Sequence, residues 1–353
     1  MATSARPAAV SSRMERRGGG GGGGGGGRAE RRRRWESWVG VIVLESESLC
    51  RRERTDHVGF ERREATGPVV DIADKVLASA SGGFGFFSNK EDKYQQAADL
   101  YVQAANAFRL AKEYKESGKA FESAAKVHRD KLSEPDDGAN NMVDAFKVYR
   151  KEFPEDAVRC LDVAINHYTS KGNFRRAASH KEHAGEVFEL EIGDRKRALD
   201  CYDKAAGWYE DDNAPALANK LWLKVADISA LEGDYYRAIE CYDKVADASL
   251  SNNLMRYSVK EYFLKAGIAA MATKDLISVR RNIEKYREKD PSFAQQREYQ
   301  LLMDLTEAID AGDQEAFTDK LFAYDQMSKL DKWKTEMLVR IKNQIEDADN
   351  EFS

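Results

Sequence analysis

The sequence predicts an all-α protein, an α-solenoid of antiparallel helical hairpins closed by a helical bundle at its C-terminal end. From Asp71 onward, apolar and small residues recur at spacings of three and four, as on one buried helix face. Short breaks rich in Gly, Asn and Asp separate these segments, and such residues end one helix and cap the next. Similar segments return at an offset of 40 residues, which is typical of a helical repeat array.

The first 70 residues differ in composition from the rest. They hold 14 arginines, no lysine and 9 acidic residues, a net charge of +5, whereas residues 71–353 hold 42 basic and 52 acidic residues, a net charge of −10. The glycine run Gly18–Gly27 and the charge block Arg31–Arg34 predict a disordered extension, because neither can pack a core. Its origin is open between a mis-assigned start codon and a mitochondrial transit peptide, although ten glycines do not form an amphipathic helix.

The composition excludes several classes of protein. No apolar run approaches the ~18 residues of a membrane span; the longest, Val39–Leu44, has six. The acidic body argues against a nucleic-acid-binding protein. Residues 1–17 lack the apolar region of a signal peptide, and the cysteines form no Cys-x-x-Cys pair. A reducing, cytosolic compartment is therefore expected.

Residues 79–88 break the helical pattern with a glycine-rich loop that carries Phe84, Phe86 and Phe87. A phosphate-binding loop is excluded, because no strand precedes the glycines and their spacing does not match one. The phenylalanines either fold back onto the first hairpin or form an exposed loop that dips into a membrane surface. The residues alone do not decide between these two interpretations.

The hairpins follow in order. An apolar stripe from Ala97 to Phe108 opens the first, and breaks are predicted at 117–118, 135–138, 171–173, 192–194 and 232–234. The segment Gly193–Ala206 matches Gly233–Ala246 at nine of fourteen positions. The 34-residue spacing of tetratricopeptide repeats is missing, so the array is TPR-like in architecture only. Cys160, Cys201 and Cys241 share one repeat position, which predicts small buried residues between helices rather than redox groups.

After Leu250 the repeat fades, and helices are predicted at 258–272, 275–288, 292–311, 313–329 and 331–347. Atypical terminal units cap the open apolar face of a solenoid. Trp333, Met337, Ile341 and Ile345 recur every four residues and predict the buried stripe of the last helix. The predicted division is a hairpin domain over residues 71–274, with the loop 79–88 at its start, and a C-terminal bundle with an acidic tail over residues 275–353.

No catalytic motif is present: the sequence lacks a P-loop, a His-Glu-x-x-His zinc motif and a Gly-x-Ser-x-Gly elbow. His180 and His183 could touch one metal ion from adjacent helix turns, but no third ligand lies nearby in sequence, so a solvated helix face is expected. We therefore expect no metal, no cofactor and no enzymatic activity. A binding scaffold is the favoured class.

Several strings identify a family resemblance. They are the Gly-Gly-Phe-Gly-Phe-Phe loop over 82–87, the segment 97–105, Ala218-Asn219-Lys220 with Lys224-Val225-Ala226, the segment 257–263, and 330–333. On these strings, residues 71–353 resemble the α-type soluble NSF attachment proteins. The resemblance implies a twisted sheet of helical hairpins with a C-terminal bundle, and a non-enzymatic adaptor that coats the four-helix SNARE complex after membrane fusion. It also implies recruitment of the hexameric N-ethylmaleimide-sensitive fusion (NSF) ATPase and a cytoplasmic location, peripheral on vesicle and target membranes.

The resemblance also implies the site residues. Lys220 and Lys224 stand four apart and share one helix face, and Arg256 and Lys260 repeat that spacing. The family's SNARE-binding positions fall on Lys112, Arg175, Arg176, Lys220, Lys224 and Lys260, with Lys181 as the substitute for a family lysine that aligns with Ser179. The resemblance assigns weak membrane insertion to Phe84, Phe86 and Phe87. It assigns ATPase binding to Glu307, Asp310, Asp313 and Phe352, and Phe352 stands where the family has a leucine. The competing hypothesis is a helical-repeat assembly scaffold unrelated to fusion.

Overall fold

The computed structural model describes residues 58–81 and 90–351, and every element in these two ranges is helical. The chain divides into two compact units, Met1–Phe60 and Glu61–Ser353, and the helices belong to the second unit except for the start of the first helix. The helices of the hairpin array are α1 (Val58–Ser81), α2 (Lys90–Leu110), α3 (Tyr114–Val127), α4 (Pro135–Tyr149), α5 (Pro154–Ser170), α6 (Phe174–Val187), α7 (Arg195–Asp211), α8 (Pro215–Leu231), α9 (Tyr235–Leu250) and α10 (Val259–Met271). The remaining helices are α11 (Leu276–Lys289), α12 (Arg297–Asp310), α13 (Gln314–Met327) and α14 (Lys332–Glu351).

The helical region begins earlier than the predicted start at residue 71, because residues 58–70 already belong to helix α1. Val69 and Val70 are partly buried and pack against an apolar cluster that includes Ala73, Tyr101 and Val127. This contact with α2 and α3 explains why the helix extends toward the N-terminus despite Pro68 within it.

The predicted turns at 171–173, 192–194 and 232–234 are confirmed. Gly193 and Gly233 adopt positive φ angles of 80° and 91°, which glycine reaches without steric cost. The next residue then caps the following helix: Asp194 accepts a hydrogen bond from the backbone N–H of Arg197, and Asp234 from that of Arg237. At each of these two turns, a glycine that ends one helix is followed directly by an aspartate that caps the next, so neighbouring residues in the sequence determine the turn.

Two predicted breaks lie elsewhere. Gly118 is inside α3, where a Cβ would stand 2.1 Å from Cζ of Tyr149, so this glycine admits a ring from α4 rather than ending a helix. Pro135 opens α4, and the break falls at Ser133–Glu134, behind a single π-helical turn over His128–Leu132. A second π-helical turn, Phe188–Ile192, follows α6.

The hairpins form two rows of helices joined by side-chain pairs between alternate helices. In the even row, Arg176 of α6 reaches Asn140 of α4, Lys220 of α8 reaches Glu182 of α6, and Lys265 of α10 reaches Asp227 of α8. The odd row, α3 to α11, is joined by its own ion pairs, which are Arg159–Glu122, Arg197–Glu155, Arg237–Asp203 and Lys285–Asp243. The pairs span 34 to 42 residues, close to the repeat length in the sequence.

The C-terminal helices pack on the end of the array. Trp333, Met337, Ile341 and Ile345 are buried, which confirms the predicted stripe. The segment predicted as one helix over 292–311 is instead a 3₁₀ turn, Pro291–Gln295, followed by α12, because Gln296 is extended and Phe293 turns inward against Phe263. Helix α14 folds back onto α8: Trp333 Nε1 donates to the Asp227 carbonyl at 2.9 Å and Arg340 Nη1 to that of Leu231 at 2.6 Å. Among the helices of residues 58–81 and 90–351, none is long and apolar enough to cross a bilayer.

Candidate partner-binding surfaces

Lys220 and Lys224 lie one turn apart on α8, and each reaches toward the preceding hairpin. Lys220 Nζ is 2.8 Å from Oε1 of Glu182, and Lys224 Nζ is 2.7 Å from Oε2 of Glu189. Lys220 keeps 62% of its side-chain surface exposed, and its hydrogen bond to Glu182 raises its pKa. Both ammonium groups are therefore held by carboxylates at the surface of the even row.

Arg175 and Arg176 open α6 in the same row. Arg176 stacks its guanidinium 4.3 Å above the ring of Tyr168 and donates to Oδ1 of Asn140 at 2.7 Å. Arg175 is exposed, with Nε 3.7 Å from Oδ2 of Asp212 in the turn before α8. Arg176 thus contacts α4 and α5, and Arg175 contacts the turn that leads into α8.

Lys260 lies near the start of α10, and its Nζ is 3.1 Å from Oε1 of Glu298 on α12. Burial works to lower the pKa of Lys260, but the hydrogen bond to Glu298 and the negative charge of that carboxylate together raise it. The ammonium also lies 5.0 Å from the centre of the Tyr257 ring, and that ring is exposed. We call Arg175, Arg176, Lys220, Lys224 and Lys260 the cationic face.

Lys181 and Lys112 have surroundings that differ from those of the cationic face. Lys181 is mostly buried and pairs with Asp162 of α5, in the odd row, at 3.1 Å. Ser179 instead lies beside Tyr209, whose hydroxyl also contacts Glu182. The side chain of Lys181 thus pairs toward α5, whereas Ser179 lies beside Tyr209. Lys112 is exposed on the turn between α2 and α3 and forms no ion pair with the residues that the structure describes.

Two carboxylates that the sequence did not single out, Glu182 and Glu189, hold the lysines of this surface. Tyr202 donates to Oε2 of Glu189 at 2.6 Å, and the hydroxyl of Tyr202 also lies 2.8 Å from Lys224 Nζ. Gly185, one turn before Glu189, leaves room for the ring, since a Cβ there would be 2.7 Å from Cε1 of Tyr202.

The same arrangement occurs in the odd row. Tyr149 donates to Glu122 at 2.9 Å, next to Gly118, and Arg159 donates to both oxygens of Glu122 at 2.8 Å. Glu122 and Glu189 both end the sequence pattern Gly-x-x-Phe-Glu, which is present over 118–122 and 185–189. This repeated pattern is the signal that could have revealed the two tyrosine–carboxylate pairs.

The acidic residues near the C-terminus have three different surroundings. Glu307 is exposed on α12, and Asp310, one turn later, pairs with Arg280 of α11 at 2.6 Å. Asp313 caps α13 by accepting from the Ala316 backbone N–H at 2.8 Å. Glu307 and Asp310 therefore lie one turn apart at the end of α12, Asp310 in an ion pair with Arg280, and Asp313 is engaged as the cap of α13. Phe352 lies outside the described residues, as do Phe84, Phe86 and Phe87 of the loop.

The histidine pair does not form a solvated face. His180 stacks on Tyr168 with ring centroids 5.4 Å apart, and His183 on Phe146 at 6.3 Å. Both ring nitrogens of His180 are buried without a hydrogen-bond partner among the described residues. The expectation of solvated histidines is thus wrong, because the hairpin packing turns this side of α6 inward.

The cysteine prediction is confirmed for the three repeat positions. Cys160, Cys201 and Cys241 are buried in α5, α7 and α9. Burial raises the pKa of Cys160 to about 12 and that of Cys241 to about 11, which keeps both thiols protonated. Cys50 lies outside the described residues.

Among the described residues, His128, Glu134 and Asp137 bring potential metal ligands within 4.8 Å of one another. His128 Nδ1 already shares a hydrogen bond of 2.9 Å with Glu134. Both acids lie at the N-terminus of α4, where negative side chains offset the helix dipole. The helix dipole therefore favours both acids at this position.

Comparison with known proteins gives a consistent result. A sequence model of the family described as "Soluble NSF attachment protein, SNAP" matches residues 65–346. A probable vesicular-fusion protein sec17 homolog of Neurospora crassa is 64% identical over 281 residues, covering 80% of this chain and 96% of that protein. The alpha-soluble NSF attachment proteins of Saccharomyces cerevisiae and Homo sapiens are 36% and 34% identical, covering 79% and 82% of this chain and 96% and 97% of theirs.

Among solved structures, one similar chain is a signal transduction ATPase with a tetratricopeptide repeat sensor from Pyrococcus horikoshii. It is 13% identical, with a TM-score of 0.42, and the match covers 81% of this chain and 45% of that one.

Proposed function

This chain belongs to the soluble NSF attachment protein family, and from that premise we propose that it is a non-enzymatic adaptor of vesicular transport. It binds the four-helix SNARE complex left after membrane fusion, recruits the hexameric NSF-type ATPase and stimulates it to take that complex apart. The observation that carries the proposal is the cationic face, which lines up five basic side chains along the even row of an otherwise acidic body.

The chemistry of this face suits an acidic rod. Exposed ion pairs are individually weak, about 0.2–1 kcal/mol each, so binding depends on several basic side chains meeting acidic ones in register. The attraction acts over a Debye length of ~8 Å at physiological ionic strength. We therefore expect SNARE affinity to fall as salt concentration rises.

In this proposal the ATPase binds at the C-terminal end of the adaptor and the membrane at its N-terminal end. Residues 275–353 form the unit that docks the ATPase, through Glu307, Asp310 and Asp313 and through the apolar side chain of Phe352. Residues 71–274 form the SNARE-binding array, and Phe84, Phe86 and Phe87 insert weakly into the membrane. The protein would then work in the cytoplasm, peripheral on vesicle and target membranes.

A double charge reversal tests the cationic face. Lys220→Glu with Lys224→Glu should abolish binding to a purified SNARE four-helix complex, because both contacts become repulsive. The matched control reverses Lys285 and Lys289, which are also four apart on one helix and also pair across hairpins, with Asp243 and Asp247, but lie in the odd row. Binding is measured by fluorescence anisotropy, and circular dichroism checks that both variants are folded. Unchanged binding by the first variant, or equal loss in both, would contradict the assignment.

A further inference from the structure

The acids of the cationic face are more deeply placed than the lysines they hold. Glu182 exposes 13% of its side chain against 62% for Lys220, and Glu189 exposes 27% against 37% for Lys224. Each acid also accepts from a tyrosine: Tyr209 contacts Glu182 at 3.4 Å and Tyr202 contacts Glu189 at 2.6 Å. A lysine on a long flexible stem can turn toward a partner, whereas its carboxylate is held by the packed tyrosine and cannot follow.

A lysine that binds an acidic side chain of a partner must therefore leave its own carboxylate. The new ion pair replaces an existing one, so the net gain is smaller than that of a lysine with no internal partner. At a distance, each Glu also cancels one positive charge of the face and weakens the attraction of an acidic rod. Four of the five basic side chains have such an acid, since Asp212 and Glu298 pair with Arg175 and Lys260.

We propose that Glu182 and Glu189 are built-in counter-ions that weaken SNARE binding and thereby allow the adaptor to be released. The proposal rests on the proposed function and names the residues that set its affinity. An isolated acid gains little by displacing Glu182 or Glu189. A rod that presents several acids in register gains at each position, so the counter-ions also favour an assembled helical bundle over single acidic segments.

The test uses Glu182→Gln and Glu189→Gln, singly and together, in the full chain. Glutamine keeps the size and an acceptor for the tyrosine but removes the charge. Affinity for a purified SNARE four-helix complex, measured by fluorescence anisotropy, should rise about two- to fivefold per substitution, with a steeper salt dependence. The matched control is Glu122→Gln. Like Glu189, Glu122 ends a Gly-x-x-Phe-Glu motif and accepts a hydrogen bond from a tyrosine, but it lies in the odd row. The affinity of this control should equal that of the wild type.

A second variant separates charge from structure. In a Lys220→Gln background, Glu182→Gln should raise the affinity less than in the wild type, because the lysine it releases is gone and only the long-range effect of the lost negative charge is left. Weaker or unchanged binding by the Gln variants would overturn the proposal, as would an equal gain by Glu122→Gln or a gain that is undiminished without Lys220. If reversal of Lys220 and Lys224 abolishes binding but the Gln variants bind like the wild type, only the counter-ion role fails. If that reversal has no effect, the SNARE-binding face itself is wrong.

Discussion

Gly185 shows how one residue without a side chain positions a functional one. The ring of Tyr202 occupies the space where a Cβ would stand, and its hydroxyl holds Glu189, which holds Lys224. Gly185→Ala should therefore destabilise the fold by about 1–3 kcal/mol, the usual cost of overpacking. Gly207→Ala is the control, since nothing lies within 4 Å of its Cβ position, and alanine in α7 should raise stability by about 0.5–1 kcal/mol. Urea unfolding measures both changes, and equal effects would show that the contact with Tyr202 is unimportant.

His180 makes the stability of the fold depend on pH. Burial, reinforced by His183, Arg176 and Lys147, lowers its pKa to about 4, whereas an unfolded histidine titrates near ~6.5. The unfolded chain thus binds the proton first, so this contribution is complete above about pH 6.5 and is lost as the pH falls toward 4.

His180→Phe keeps a ring on Tyr168 and removes the titration. The free energy of unfolding of this variant should fall less than that of the wild type between about pH 7 and pH 5. The same loss in both proteins would assign the pH dependence to other groups.

Helix α14 joins the C-terminal bundle to α8, the helix that carries Lys220 and Lys224. The indole of Trp333 bonds the Asp227 carbonyl of α8, lies against Tyr242, and has Lys265 Nζ 4.8 Å from its ring centre. Trp333→Ala should cost about 3–5 kcal/mol, as for other large-to-small changes in a core. Hydrogen exchange should accelerate in α14 and in the facing part of α8, and less in α4 and α5. Val339→Ala, an exposed position on α14, should leave exchange unchanged. Uniform acceleration along the array would mean that α14 is not a separate docking element.

In the proposed function, the whole protein works at a membrane that already carries its SNARE partner. Burying one Phe is worth about 1.5–3 kcal/mol, so the loop of Phe84, Phe86 and Phe87 can supply only a weak anchor once its ordering is subtracted. A weak anchor is sufficient where SNARE binding raises the local concentration. Serine at all three positions should slow the disassembly of liposome-anchored SNARE complexes and spare soluble complexes. An equal loss on both substrates would mean that the phenylalanines are structural.

Local signals in the sequence were sufficient for much of the fold. Helix faces, the Gly193-Asp194 and Gly233-Asp234 turns, the buried cysteine positions and the Trp333 stripe all follow from residues within a few positions of each other. Such signals depend on the helical period and on backbone geometry, which do not require a partner from elsewhere in the chain.

The surroundings of the candidate site were decided by tertiary packing. The pairing of Lys220 with Glu182, the burial of Lys181 beside Asp162 and the stacking of His180 on Tyr168 all join different helices. Gly118 looks like a helix break in the sequence and is a helix residue because a ring from α4 packs on it. These contacts depend on how one hairpin packs on the next. The residues paired along each row are 34 to 42 positions apart, and the sequence near one of them does not identify the other.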